Sequence, residues 1–299
     1  MVDGMTSGHR HHHHHHKHGH AHGDSQGSGA GGEAGMAELL DLYAEVLGDF
    51  LDELTGWVAG HAGPLLSGRI LDLGCGTGTG TFALLRESAD ASVVAVDGSD
   101  YMLGRLQEKA HRLGVDKRVR IVRADLDGEW PDFGEVDVVW TSAFMHHLED
   151  PDEALRKLFA TLRPGGLLAV IEMNGFPRFL PGSLGDGLEE RFQGVVDEQS
   201  AEQMPHMGDD WGARLAEAGF VVEEERTFEA ELRSPLTDTA RRYAQVSLGR
   251  TRERVADGVS DEDLALLDAL LDGDNPESVM RRDDLVVRAS RVAWAARRP

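Results

Sequence analysis

The chain predicts an α/β fold, a mostly parallel sheet with helices on both faces. Three observations predict it. From residue 69 onward, short apolar runs bounded by turn residues alternate with stretches of helical periodicity. One of those runs, Ile70-Leu71-Asp72-Leu73, breaks into a ladder of glycines at 74, 76, 78 and 80, as a buried strand does when it turns tightly into a helix. The 299 residues, 40% of them hydrophobic, suffice for one large α/β domain, or one domain plus a cap.

Residues 1–35 are rich in His, Gly and Ser and contain no Leu, Ile or Phe, so they predict a disordered tail. His11–His16 run unbroken and His18, His20 and His22 follow. The tail reads either as a purification tag or as a sink for divalent metals such as nickel, zinc or copper. An N-terminal helical segment covers 36–66. Apolar residues recur at helical spacing from Leu39 to Val58, predicting one helix ended by Gly60 and Pro64, packed on the core or over the mouth of a cofactor site.

The core is predicted over 67–234. Arg69–Leu73 is its first strand, and the glycine turn leads into a helix through Leu85. Ser92–Val96 is the second strand, followed by a helix capped by Ser99 with Met102, Leu106, Ala110 and Leu113 on its inner face. Val119–Val122 and Val136–Thr141 are the third and fourth strands. Asp150-Pro151-Asp152-Glu153 starts a helix with an Asp cap, a first-position Pro and a third-position Glu. Arg163-Pro164-Gly165-Gly166 reads as a turn, and Leu167–Glu172 as the fifth strand. Helices near 187–197 and 209–218 precede an extended stretch, 220–232. The last strand runs from Leu285 to Ala295, within residues 284–299. Between it and the preceding strand, residues 235–283 carry helical patterning over 237–256 and after Ser260, too long for a hairpin loop, and predict a helical cap.

The net charge of −23 argues against nucleic-acid partners and an anionic membrane, and a neutral or cationic small-molecule substrate suits that field better. The one cysteine, Cys75, excludes a disulfide within the chain. There is no run of about 18 apolar residues and no apolar signal core, so a cytoplasmic protein without membrane partners is expected.

A glycine turn alone does not choose its ligand. Asp72 stands two residues before the first glycine. The second strand ends in Asp97, about 20 residues past the ladder, where an acid can accept from both hydroxyls of a ribose. Asp125, after the third strand, can meet an adenine amino group with Leu126 beside the ring. The glycine spacing is G-x-G-x-G, rather than the G-x-G-x-x-G of a dinucleotide loop.

With Leu71-Asp72-Leu73-Gly74-Cys75-Gly76-Thr77-Gly78, Val96-Asp97, Ala124-Asp125-Leu126, Asp137-Val138-Val139, His146-His147-Leu148 and Leu162-Arg163-Pro164-Gly165-Gly166, the chain resembles the class I S-adenosylmethionine-dependent methyltransferases of the small-molecule type. The resemblance covers residues 67–173 closely and the remainder in outline. It implies a Rossmann-like seven-stranded sheet whose last strand is antiparallel and inserted between the fifth and sixth, with S-adenosyl-L-methionine as cofactor at the carboxyl ends of strands one, two and four. On that resemblance Gly74, Gly76 and Gly78 approach the cofactor, and Asp72 orients the loop or meets the ammonium group through water. Asp97 binds the ribose, Met102 packs on the adenine or in the core, Asp125 and Leu126 meet the adenine, and Thr141 with Ser142 faces the methionine portion. Cys75 is a packing residue.

Methyl transfer from a sulfonium needs approach geometry and, for some acceptors, a base. His146 and His147, at the lip of the fourth strand, are the candidate catalytic bases; the competing reading is that they only shape the loop. Glu172 and Asn174 are further pocket groups. Tyr43 and Tyr243 can line a substrate pocket, whereas Trp57 reads as core. The segment Thr141-Ser142-Ala143-Phe144 lacks the Asn/Asp-Pro-Pro-aromatic signature of methylation at adenine or glutamine amino groups, and no cysteine is placed for covalent cytosine-C5 chemistry. Two other classes stand beside methyl transfer: a nicotinamide-dependent oxidoreductase, and a cofactor-binding module without turnover.

Overall fold

The computed structural model describes residues 30–299, with side chains from residue 32, so the histidine-rich stretch and its proposed metal binding lie outside the described residues. Seven strands form one sheet: β1 (Arg69–Leu73), β2 (Ser92–Asp97), β3 (Val119–Arg123), β4 (Val136–Ser142), β5 (Leu162–Met173), β6 (Val221–Arg233) and β7 (Val286–Arg297), in the order β3-β2-β1-β4-β5-β7-β6. The first five are parallel, and β7 runs antiparallel between β5 and β6. This is the predicted architecture.

The helices are α1 (Ala30–Val46), α2 (Gly48–Ala62), α3 (Thr79–Glu87), α4 (Asp100–Leu113), α5 (Pro151–Thr161), α6 (Leu188–Gln203), α7 (Trp211–Glu217), α8 (Asp238–Arg254) and α9 (Asp261–Leu271). The expected caps form: Ser99 accepts from the Met102 amide at 3.2 Å, Asp150 from Glu153 at 2.8 Å and Ser260 from Asp263 at 3.1 Å.

Three expectations are corrected. Residues 30–35 are the first turns of α1, not tail; the Glu33 carboxylate accepts the Ser99 hydroxyl at 2.6 Å, tying this turn to α4. The single helix expected from Leu39 to Val58 is two, because the backbone leaves helical geometry at Leu47 (φ −108°, ψ 32°) before Gly48. The turn at 163–166 is part of β5, since the Gly165 amide bonds the Arg298 carbonyl at 2.7 Å and continues the pairing with the strand beside it.

Alternation along the strands sends side chains to two cores. Ile70, Val93, Ala95, Val138, Ala169 and Ile171 face α2, α3 and α8. Leu71, Leu73, Val94, Val139, Leu168 and Val170 face α5 and α7, where Leu155, Leu158 and Trp211 meet them. Each fully buried Val, Leu or Ile among them stabilises by about 1.5–3 kcal/mol.

Register fixes the working edge. Leu73 lies beside Val96 on one side and Thr141 on the other, so β1, β2 and β4 end together. Met173, at the end of β5, lies beside Arg291 midway along β7. No described helix is long and apolar enough to cross a membrane.

Candidate active site

The glycine loop leaves β1 and turns back on β2: the amides of Gly74 and Cys75 both donate to the Val96 carbonyl at 2.9 Å. Gly74, Gly76 and Gly78 take φ of +72°, +52° and +90°, in the left-handed region. Gly74 is further constrained because a Cβ there would lie 2.2 Å from the Phe144 ring, which covers it from the lip of β4.

Asp97 closes the loop. Its Oδ2 accepts from the Gly76 amide and its Oδ1 from the Ser99 amide, both at 2.9 Å. Each oxygen keeps a lone pair for a further donor. Asp125 is exposed and its Oδ1 accepts from the Asp127 amide at 3.2 Å, while Leu126 is buried beneath it. Met102 is buried on α4. Thr141 is wholly buried at the end of β4, and its hydroxyl has no hydrogen-bond partner among the described residues.

Asp72 is sealed beneath this loop and accepts the Thr81 hydroxyl at 2.5 Å, joining β1 to α3. Burial pushes its pKa up to about 7 against the opposing Thr81 bond, and the charge of Asp97 adds to the rise. Burial likewise pushes the Cys75 thiol well up, with Asp72 and Asp97 adding, which suits packing rather than reaction.

A helix the sequence placed only loosely reaches the same loop. Asp41 on α1 accepts the Thr77 hydroxyl at 2.8 Å and Arg105 at 2.6 Å, and it pairs with Lys109. Burial would raise the Asp41 carboxyl, but the bonds from Lys109, Arg105 and Thr77 outweigh it and hold the pKa below the ordinary value.

Across the edge, His146 and Glu172 form a buried pair. His146 Nδ1 lies 2.5 Å from Glu172 Oε2, while Glu172 Oε1 accepts the Met145 amide at 2.9 Å. The His147 ring stands 4.1 Å from that of His146 and has its outer edge in solvent. Burial of its inner face, then the neighbouring His146, holds His147 below the ordinary imidazole pKa, while contact with water limits the effect. The two histidines are thus inequivalent. Glu172 as the partner of His146 was not legible, since the residues lie 26 apart in sequence, His146 in the turn after β4 and Glu172 in β5. Tyr43 and Tyr243 meet edge to face at 6.4 Å, and the half-buried Trp57 packs edge to face on Phe228 at 5.6 Å, against the core.

A Rossmann-like sheet with a glycine loop closed by an acid at the end of its second strand defines a class of nucleotide-cofactor proteins. Comparison with known proteins narrows it. Residues 71–168 match a family model described as a methyltransferase domain. The chain is 30% identical over 196 residues to 27-O-demethylrifamycin SV methyltransferase of Amycolatopsis mediterranei, covering 64% of this chain and 66% of that protein. It is 36% identical over 114 residues to demethylmenaquinone methyltransferase of Clavibacter sepedonicus, covering 38% and 44%. The matches thus span less than two thirds of either relative's length. In fold it is similar to geranyl diphosphate methyltransferase solved with S-adenosylmethionine, at TM-score 0.50, 17% identity and 93% coverage of both chains. Residues 71–168 thus carry a methyltransferase domain, and the chain is similar in sequence and fold to the S-adenosylmethionine-dependent methyltransferases.

The residues present fit that cofactor. Asp97, at the end of β2, keeps acceptor lone pairs that hydroxyl donors can use, and the orphaned Thr141 hydroxyl is a buried polar group without a partner among the described residues.

Proposed function

We propose that the protein transfers a methyl group from S-adenosylmethionine to an O, N or C atom of a small molecule. The observation that carries this reading is the left-handed glycine loop locked by Asp97 beside the unpartnered Thr141 hydroxyl. In it Gly74, Gly76, Gly78 and Asp97 hold the cofactor's amino-acid and ribose portions, Met102, Asp125 and Leu126 its adenine, and Thr141 its methionine end. Asp72 holds the loop in shape through Thr81. The cofactor supplies an activated methyl group, so the protein's task is alignment and proton removal.

His146 is the proton acceptor in this reading, and Glu172 orients it. With the carboxylate accepting at Nδ1, the lone pair stands on Nε2, which makes no hydrogen bond among the described residues. Glu172 also stabilises the imidazolium that forms when Nε2 takes the acceptor's proton. His147 serves the ring stack rather than the proton. Residues 235–283 form the cap over the acceptor side, on a core of 67–234 completed by 284–299, and a cytoplasmic location accompanies the reading.

Calorimetry with S-adenosylhomocysteine and with NADH tests the cofactor, and label transfer from methyl-labelled S-adenosylmethionine to metabolite pools tests the reaction. Heat with the first ligand only, and label in a small molecule, are expected. Binding of NADH in preference, or cofactor binding with no transfer to any pool, would overturn the proposal.

A further inference from the structure

One face of β7 presents Val287, Ala289, Arg291, Ala293 and Ala295 to the sheet's α2–α8 core. Four of the five are apolar and buried; Arg291 breaks the row and is nevertheless only 6% exposed. Among the described residues it makes no ion pair. Its one hydrogen bond runs from Nη1 to the Ser290 carbonyl at 2.9 Å, which leaves most of the guanidinium's five N–H donors unused. Its carbon lies 5.3 Å from the centre of the Tyr43 ring, and Tyr43 meets Tyr243 on α8. Phe179 closes on Tyr243 at 5.2 Å.

Burying a charge without a counter-charge costs several kcal/mol, and a cation–π contact returns a fraction of that. An apolar residue in this row would cost nothing of the kind. The placement is informative too: Arg291 pairs with Met173, the last residue of β5, at the edge of the sheet where β1, β2 and β4 also end, on the face opposite to Glu172 and Thr141. Tyr43 comes from α1, the helix that also grips the glycine loop through Asp41.

We infer that Arg291, walled by Tyr43 and Tyr243, is the anchor for an oxyanion on the methyl acceptor, a carboxylate or a phosphate monoester carried on an apolar body. The inference rests on the methyl-transfer reading for the identity of the acceptor. The guanidinium fork meets two oxygens of such a group, and the aromatic walls take the apolar remainder. The surface field of a chain with net charge −23 does not oppose this, because the Arg291 side chain is largely withdrawn from bulk water and its attraction is screened less than the repulsion of exposed acids. The net charge suggested a neutral or cationic acceptor; the buried unpaired cation argues for an anionic one.

The test titrates benzoate, phenyl phosphate and neutral benzyl alcohol into the full chain saturated with S-adenosylhomocysteine. Wild-type protein is expected to bind at least one anion about tenfold more tightly than benzyl alcohol. Preference for phenyl phosphate identifies a phosphate monoester, and preference for benzoate a carboxylate. Arg291→Met should abolish the preference, leave S-adenosylhomocysteine and benzyl alcohol binding within about twofold, and keep or raise the melting temperature. Arg291→Lys, which keeps the charge and the fold but not the fork, should retain a reduced preference of about threefold. Equal binding of the three probes by wild type, or a tenfold preference that survives in Arg291→Met, or in Arg291→Lys if the Met variant does not fold, would overturn the inference. A guanidinium with only a structural task would lower the melting temperature on replacement and leave probe preference untouched. Failure of S-adenosylhomocysteine to bind at all would instead reject the methyltransferase reading.

Discussion

Glu172 holds His146 by a 2.5 Å contact between Oε2 and Nδ1, and both side chains are sealed from water. A carboxylate that also accepts the Met145 amide cannot rotate away, so the imidazole has one orientation and one tautomer. Replacing His146 by Ala should lower turnover by about 10²–10⁴-fold, the usual contribution of a positioned base. Glu172→Gln should lower it less, because the amide oxygen still accepts from Nδ1 but carries no charge to stabilise the imidazolium. His147→Ala should change turnover by a few fold only. Calorimetric affinity for S-adenosylhomocysteine should stay within about twofold in all three. Full turnover in His146→Ala would reduce the pair to a loop brace.

Asp97 joins three things: the Gly76 amide, the Ser99 amide and, in the proposed complex, the ribose. Asp97→Ala should therefore weaken S-adenosylhomocysteine binding by about 1–3 kcal/mol and also destabilise the free protein, since two backbone donors lose their acceptor. Asp97→Asn retains one carboxyl-like oxygen and should fall between. Calorimetry gives the affinity and urea unfolding the stability. An unchanged dissociation constant in Asp97→Ala removes the ribose assignment.

What the sequence made legible follows from how local each cause is. Strand runs, the caps at Ser99, Asp150 and Ser260, and the glycine loop are written in neighbouring residues, and the structure holds them where they were expected. The insertion of β7 between β5 and β6 came only through the family resemblance, because no local pattern encodes strand order. The break at Leu47 was invisible, since apolar spacing continues through it and Leu47 is buried as a helical residue would be. Contacts between distant residues were the least legible. Phe144 over Gly74, Asp41 on Thr77, and Glu172 on His146 each join separate elements. Arg291 did leave a trace: it is the one charged residue among alternate positions that otherwise read Val, Ala, Ala, Ala.

Asp41 couples the first helix to the cofactor loop, and that coupling is measurable. It receives Thr77, Arg105 and Lys109 at once, while Lys109 also donates to the Thr77 carbonyl at 3.0 Å. Asp41→Ala should lower the free energy of local opening of α1 by about 1–2 kcal/mol, a figure kept small because the cluster is partly open to water. Hydrogen exchange of residues 33–46 should speed accordingly, and S-adenosylhomocysteine should bind several-fold more weakly. Unaltered exchange in that stretch would show that α1 is held by its apolar face alone.

Asp72 makes stability depend on pH in a direction opposite to that of most carboxylates. Its pKa rises from 3.8 to about 7 on folding, chiefly through burial, so between those values the folded chain keeps a proton that the unfolded chain has released. The stabilisation is complete below about pH 4 and is lost as pH rises to 7, with a slope of at most about 1.4 kcal/mol per pH unit from this one group. Above pH 7 the ionised carboxylate is buried near the charge of Asp97, and the native state carries the full cost. Asp72→Asn mimics the protonated form and can still accept from Thr81. Its stability relative to wild type should therefore grow from pH 5 to pH 8 in urea unfolding, while the absolute stabilities follow whatever the remaining acids impose. A difference between the two proteins that stays constant across that range would mean that Asp72 is ionised in the native state throughout, and that the Thr81 hydroxyl suffices to hold it so.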